Sequence, residues 1–432
     1  MCALATKAQV PDEIARAIML PTSYGDLEGT VFPACDWLRA NMPVGRAEID
    51  GYDPVWLVAR HADIKELLRD AETFHNADAN IMLQPTAGDE YLRGMLDGTT
   101  KVLRNLSYME PPEHTAYRRA QKPTFEPGAV LKYRERFRRV AIDAIDRLFE
   151  HDGECDFVAT LSSRYPLAAV LETLGVPQDD YELMLKWTQD TFGGDDPDWK
   201  RDGIEASPEA MAKQWHASVQ DFHDYFESMR MQRLAGPTGD MTSDIVNSRT
   251  EDGKLMPDLV QNHMAASIAI AGHDTTNSAI SAGMLGLIRF PEQFDLVKAE
   301  PALIPGLVDE SLRYATPAKH FMRNATREVE FHGAEIGAGD RVMALFVSGN
   351  RDEAAFADPY AFDITRRPNP HLSFSYGPHI CLGMHMAKLE MNVLFEELLP
   401  RLGQVELAAE PRLKQSNFVS GLKTLPIRFT RA

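Results

Sequence analysis

One stretch near the middle of the chain limits the fold more than any other. Residues 259–289 carry helical apolar spacing with no proline until Pro291. At the α-helical rise, such a helix is about 46 Å long, enough to cross a whole domain. A helix of that reach needs partners along its entire length, so the remaining elements must be arranged around it. Residues 142–149 and 218–234 show the same spacing and supply candidate partners. The chain has 432 residues, 44% of them hydrophobic, enough to bury a sizeable core. It shows no internal repeat, low-complexity tract or long linker, which favours one domain over residues 1–432.

The ends of the chain read differently. Residues 46–49 and 55–59 flank Asp50-Gly51, and Asp-Gly between such segments is a hairpin signal. Asp63 is placed to cap a helix running IKELLRD. Residues 328–346 form a strand-rich patch with Gly333, Gly337 and Gly339 as turn points. Residues 354–373 hold Pro359, Pro368 and Pro370 and read as an irregular meander. A last amphipathic helix is expected over 382–402. The fold class is therefore mainly α, with small sheets near each end.

Charge and cysteine usage narrow the function. A net charge of −19, from 64 acidic and 45 basic residues, argues against nucleic acid or an anionic membrane as the main partner. Cys2, Cys35, Cys155 and Cys381 form no C-x-x-C pair, so neither a zinc site nor a disulfide framework is indicated. The opening MCALATKAQVPDEIARAIMLP lacks the continuous apolar core of a signal peptide, and no apolar run is long enough for a membrane span. The expectation is a cytoplasmic, monomeric protein.

The strongest chemical signal is FSYGPHICLG at 374–383, immediately before the last helix. A cysteine there meets the free N–H groups and positive dipole end of the helix, which lower a thiol's pKa. Gly377 and Gly383 would let the backbone pass close to a flat ligand. A cysteine in a Gly-rich turn can also be purely structural, and the spacing as a whole decides against that. The segment resembles the haem-binding signature of the cytochrome P-450 family, Phe-x-x-Gly-x-x-x-Cys-x-Gly, at every fixed position. That resemblance implies the P-450 fold (α+β, a triangular helical body with small β-sheets). It also implies haem b, iron protoporphyrin IX, with Cys381 as axial iron ligand and Phe374, Gly377 and Gly383 shaping its loop. A thiolate ligand pushes electron density toward the iron and favours O–O cleavage.

Other marks follow in family order. AGHDTT at 271–276 lies inside the long helix, where Asp274, Thr275 and Thr276 are poor helix formers. A Thr hydroxyl can bond back to a carbonyl one turn earlier and open the helix locally. The resemblance implies that Ala271 and Gly272 lie against the haem, and that Asp274 and Thr275 deliver protons during oxygen activation. Glu310 and Arg313 sit three apart on one helix face, a spacing also common on exposed helices. They resemble the family's structural Glu-x-x-Arg pair, for which Arg366 and His371 are candidate third members. MEPPEHTAYRR at 109–119 resembles the segment opening a helix at the haem edge. By that resemblance His114, Arg118, Arg323 and His379 bind the propionates, for which arginine offers bidentate geometry. Singly, each could be a solvated surface charge.

PPEHTAYR, AGHDTT, RDEAAF, HICLG, FEELLPRL and LPIRFTRA resemble most a bacterial subgroup that contains an α-terpineol hydroxylase. Its members imply a monooxygenase acting on compact hydrophobic substrates such as monoterpenoids or alkyl and fused aromatics. They also imply electrons from a ferredoxin reduced by a flavin reductase. The rival readings are an H2O2-driven peroxygenase and a non-catalytic haem-based gas sensor or carrier. Specificity is expected from residues 80–106, 187–215, 317–322 and 418–419. Arg119, Lys122, Arg366, Arg367 and Lys388 are candidate ferredoxin contacts.

Overall fold

The computed structural model describes residues 9–76, 78–192, 196, 198 and 207–432. The long helix spans Asp258–Arg289 and is buried on nearly every side, from Val260 through Ala266 and Ile280 to Leu287. A helix apolar all round belongs inside a protein. It packs against the helices Ile304–Ala315, Arg164–Leu174 and Pro208–Ala235. Small residues make those approaches possible. A Cβ on Gly283 would lie 2.3 Å from the Ser311 hydroxyl, and one on Gly286 would lie 2.6 Å from the Phe362 ring. Glycine costs a helix about 1 kcal/mol relative to alanine, and close packing offsets that here. The last helix, Met384–Leu398, lies against Arg134–Glu150. Together these helices enclose a core that includes Phe137, Leu171, Phe222, Ile280, Leu312 and Leu394.

The sheets are small. One has five strands in the order Val44–Ala47, Val55–Val58, Arg341–Ala344, Phe321–Ala325, Phe74–His75. Val55–Val58 and Arg341–Ala344 run parallel, and the other pairs are antiparallel. The first pair is the hairpin read from Asp50-Gly51, with Val44 opposite Val58 and Gly51 at φ +84°. A three-stranded sheet joins Glu154–Asp156, Pro426–Arg431 and Leu402–Leu407. The glycine-punctuated patch holds a hairpin, Val329–Phe331 with Ala334–Ile336, and Gly333 and Gly339 take positive φ. Its neighbour Phe321–Ala325 escaped the sequence reading, because Arg323 and Asn324 interrupt the apolar pattern. Residues 354–373 contain neither helix nor strand. The architecture is mainly α with small sheets, as the resemblance implies.

Two local expectations need correction. Asp63 lies in the first turn of His61–Arg69 and caps nothing. The cap comes from far along the chain, where the Asp352 carboxylate accepts from the His61 N–H at 2.7 Å. Thr275 does not open the long helix, which runs without interruption from Asp258 to Arg289.

Candidate active site

The site is built outward from one buried ion pair. Glu310 and Arg313 are both fully buried, with Arg313 Nε to Glu310 Oε2 at 2.8 Å and Nη2 to Oε1 at 2.7 Å. The other guanidinium N–H groups reach the carbonyls of Asn350, Pro359 and Ala361 at 2.7–2.9 Å. Glu310 also accepts from the Asp363 N–H at 2.9 Å and from Asn369 Nδ2 at 3.0 Å. Every one of these partners lies in or beside the meander, so the pair folds that irregular segment onto the helix. Arg366 approaches Glu310 at 3.4 Å. His371 does not; it faces Asp309 at 3.8 Å.

The meander then hands over to the cysteine loop. The Leu372 N–H donates to Asn350 Oδ1 at 2.6 Å, and the Ser373 hydroxyl donates to the Leu312 carbonyl at 2.7 Å. The Cys381 N–H bonds the Phe374 carbonyl at 2.8 Å, which closes the loop just before Met384–Leu398. Gly377 is needed for a reason that the sequence does not carry. It takes φ +72°, and a Cβ there would lie 2.3 Å from the Leu68 carbonyl, so it lets the loop pass the helix His61–Arg69. A Cβ on Gly383 would meet nothing within 4 Å, so that side of the loop has room for a flat ligand.

Cys381 keeps an accessible side chain, unlike Cys35. Burial nevertheless pushes its thiol above the ordinary range, against the Gly383 and Met384 N–H groups and Arg118, which pull it down. The helix end thus acts in the expected direction but is outweighed. Cys381 is thus an exposed residue with enough protein around it for burial to outweigh the helix end.

The long helix has its own open stripe. Ile268, Ala271, Gly272 and Thr275 retain accessibility amid buried neighbours, with Ala271 the most exposed. The Thr275 hydroxyl donates to the Ala271 carbonyl at 2.7 Å. Asp274 is turned inward, 1% exposed, with Oδ1 held by Lys414 Nζ at 2.9 Å. Burial alone would raise its pKa, but Lys414 and His273, with hydrogen bonds from Lys414 and Asn277, hold it below the usual carboxylate range. Lys414 carries no sequence motif, and the sequence reading missed it.

A third group of residues is polar and either buried, as His114 and Arg323 are, or half-buried. The His114 and His379 rings lie 4.2 Å apart. Burial, with His379 and Arg118 nearby, pushes His114 down to about 4, and its Nε2 has no hydrogen-bond partner among the described residues. Burial pushes Arg323 down to about 10. Arg118 donates to the Ile380 carbonyl at 2.7 Å, beside the cysteine. Glu110, absent from the sequence reading, contacts His379 at 3.4 Å. These features fit haem: an accessible cysteine, an open stripe on the long helix, and buried or half-buried donors suited to two carboxylates.

A family model for cytochrome P450 matches residues 302–429. The chain is also 44% identical over 427 residues to cytochrome P450-terp of a Pseudomonas species, with 99% of each chain covered. The chain belongs to the cytochrome P450 family. It is 32% identical to linalool 8-monooxygenase of Pseudomonas putida, covering 90% of this chain and 93% of that one. Identity to a steroid C26-monooxygenase of Mycobacterium tuberculosis is also 32%, covering 91% and 92%. The crystal structure of CYP108D1 from Novosphingobium aromaticivorans superposes with a TM-score of 0.90 at 36% identity, covering 98% of this chain and all of that one. This P450 is a haem monooxygenase, and no helix among its described residues is long and apolar enough to cross a membrane.

Three of the four expected specificity segments contribute to one cavity, and residues 317–322 do not. Met82, Gln84, Asp190, Thr191, Trp215 and Phe418 line one small cavity of about 50 Å³. Residues 193–195, 197 and 199–206 of that set lie outside the described residues. The expected ferredoxin contacts are less free than the sequence suggested. Arg119 pairs with Glu251 at 2.8 Å, Lys122 with Glu126 at 3.6 Å and Lys388 with Asp309 at 2.7 Å. Arg366 is committed to Glu310 and to the carbonyls of Ala357 and Asp358. Next to the cysteine loop, Lys65 and Arg69 instead lie 4.7 and 4.8 Å from the Tyr376 ring centroid.

Proposed function

We propose that this P450 hydroxylates a compact hydrophobic substrate such as a monoterpenoid or an alkyl or fused aromatic. The reaction consumes O2, two electrons and two protons, and yields the alcohol and water. Haem b, ligated by Cys381, supplies the oxygen activation when bound. His114, Arg118, Arg323 and His379 would hold its propionates, and Phe374, Gly377 and Gly383 would set the loop around the sulfur. Ala271 and Gly272 would lie against the haem from the open stripe of the long helix, and a Cβ on Gly272 would meet Val170 Cγ2 at 3.1 Å. The chain would work as a monomer in the cytoplasm, as one domain. The observation that carries the reading is the accessible, protein-surrounded Cys381 at the head of Met384–Leu398. The relatives named for linalool and for P450-terp support the substrate class.

The protein's own part in the chemistry is proton delivery and exclusion of bulk water. Thr275 offers an oxygen on the open stripe while its proton is lent to the Ala271 carbonyl, and Asp274 waits behind it. Thr275→Ala is expected to retain haem and substrate binding but to divert most NADH-derived electrons into H2O2. Asp274→Asn is expected to slow turnover by about 100-fold with less uncoupling, the usual size of a lost acid–base group. Product and peroxide yields per NADH check both; two tightly coupled, full-rate variants would remove the pair from the mechanism.

Electrons are expected from a ferredoxin served by a flavin reductase. NADH-dependent product formation with both proteins supplied, beside an arm with H2O2 alone, separates this reading from a peroxygenase. Rim charges govern association rate and its salt dependence. Charge reversal of Lys65 and Arg69 is therefore expected to raise the apparent ferredoxin KM about tenfold at low salt. Reversal of Arg119, Lys122 and Lys388 should act less, because carboxylates already match those charges. Equal KM values across all variants would place docking elsewhere.

A further inference from the structure

Lys414 is 2% exposed and its partner Asp274 is 1% exposed, so an ammonium and a carboxylate face one another inside the protein at 2.9 Å. Two charges removed from water are held together only where the geometry is fixed. Here the fixing element is the hairpin Arg412–Leu413 with Leu422–Thr424. The Lys414 N–H bonds the Gly421 carbonyl at 2.9 Å, and the Ser420 hydroxyl bonds the Lys414 carbonyl at 3.0 Å. Gly421 lets the hairpin press onto the long helix: a Cβ there would lie 2.3 Å from the hydroxyl of Ser278, one turn beyond Asp274. The same hairpin leads outward through a row of ion pairs. The Gln415 N–H donates to Asp196 at 3.0 Å, Lys423 binds both Asp196 and Asp198, and Arg412 pairs with the half-exposed Asp198 at 2.5 Å.

We infer that Lys414 is a positioning residue for proton delivery, fixing the charge and orientation of Asp274 from the C-terminal hairpin. The inference rests on the reading that Asp274 takes part in the relay. While the ammonium holds Oδ1, the carboxylate stays ionised and bound, with low affinity for a proton. Taking up a proton from the solvent side requires the Lys414 contact to loosen, and passing it on toward Thr275 restores the pair. The other titratable group at Asp274 is His273, on the same helix. Burial lowers its pKa, and its ring nitrogens are engaged by Thr188 and the Ser163 carbonyl, each at 2.9 Å. From the hairpin side, Lys414 is the charged group that faces the carboxylate.

The test uses the haem-loaded protein. In the wild type Asp274 is ionised at neutral pH. In Lys414→Met burial is opposed by His273 and Asn277 without the ammonium, so the carboxyl pKa rises and the group is expected to become protonated nearer neutrality. Difference infrared spectra against Asp274→Asn are expected to show a protonated-acid C=O band in Lys414→Met and none in the wild type. The acid limb of the turnover pH profile should move up by about 1–3 pH units, the usual effect of one close opposite charge. Lys414→Arg should restore both readouts. The double variant Lys414→Met/Asp274→Asn should load haem normally and match Asp274→Asn in rate. No protonated band and an unmoved acid limb in a well-loaded Lys414→Met would overturn the inference. So would poor haem loading that the double variant does not recover, since that marks a purely structural lysine. If Asp274→Asn itself turns over and couples normally, the relay reading fails instead.

Discussion

Cys381→Ser is expected to abolish the CO-difference band of thiolate-ligated haem and to remove essentially all monooxygenase activity. A serine oxygen at this place is a poor donor, because its proton is far harder to lose than a thiol's. Without thiolate, the electronic push that favours O–O cleavage is lost. The other described cysteines cannot substitute. Cys35 is fully buried, with its thiol pushed up to about 12, and Cys155 is half-buried within the edge strand Glu154–Asp156, pushed up to about 11. Cys35→Ser and Cys155→Ser should therefore keep the band. CO-difference spectra of reduced, haem-loaded variants decide the matter; a normal band in Cys381→Ser would transfer the ligand role to another residue.

Much of this was legible along the chain because it is local. The long helix announces itself through uninterrupted apolar spacing, and residues 259–289 agree with Asp258–Arg289. The cysteine loop and the Asp274-Thr275 pair are short motifs whose spacing is their meaning. What could not be read is long-range pairing. Lys414 sits in an undistinguished stretch, and only the folded hairpin brings it 2.9 Å from Asp274. Asp63 has the residue type of a cap, yet Asp352 does that work from 291 residues further along the chain. Basic residues near the cysteine loop looked equally available to a partner. Three-dimensional pairing separates Arg119 and Lys388, already matched by carboxylates, from Lys65 and Arg69 beside Tyr376. Gly377 shows the same limit in miniature: its close passage by the Leu68 carbonyl adds a reason for glycine that no local pattern carries, because Leu68 is distant in sequence.

Glu310→Ala and Arg313→Ala are expected to yield little haem-loaded protein, although neither residue touches the sulfur. Each substitution strands one charge at a site of 0% exposure, which costs about 3–5 kcal/mol. Against a total folding stability of roughly 5–15 kcal/mol, that is a large fraction. The damage is directional. Arg313 makes five hydrogen bonds, two to Glu310 and three to carbonyls at 350, 359 and 361. Its loss frees the meander, and with it the Leu372 and Ser373 anchors from which the cysteine loop hangs. Arg313→Lys should rescue only in part, since a single ammonium cannot reproduce the planar fork. Arg366→Ala should be milder, because its 3.4 Å approach to Glu310 is peripheral to the fork. His371→Ala should leave the pair intact, its nearest acid being Asp309. The order of haem content per chain is thus wild type and His371→Ala, then Arg366→Ala, then Arg313→Lys, then the two alanine variants at Glu310 and Arg313. Thermal unfolding of whatever protein is recovered should follow the same order. Full haem loading in Glu310→Ala or Arg313→Ala would mean that the meander is held by its other contacts, and that the buried pair is dispensable to the cysteine loop.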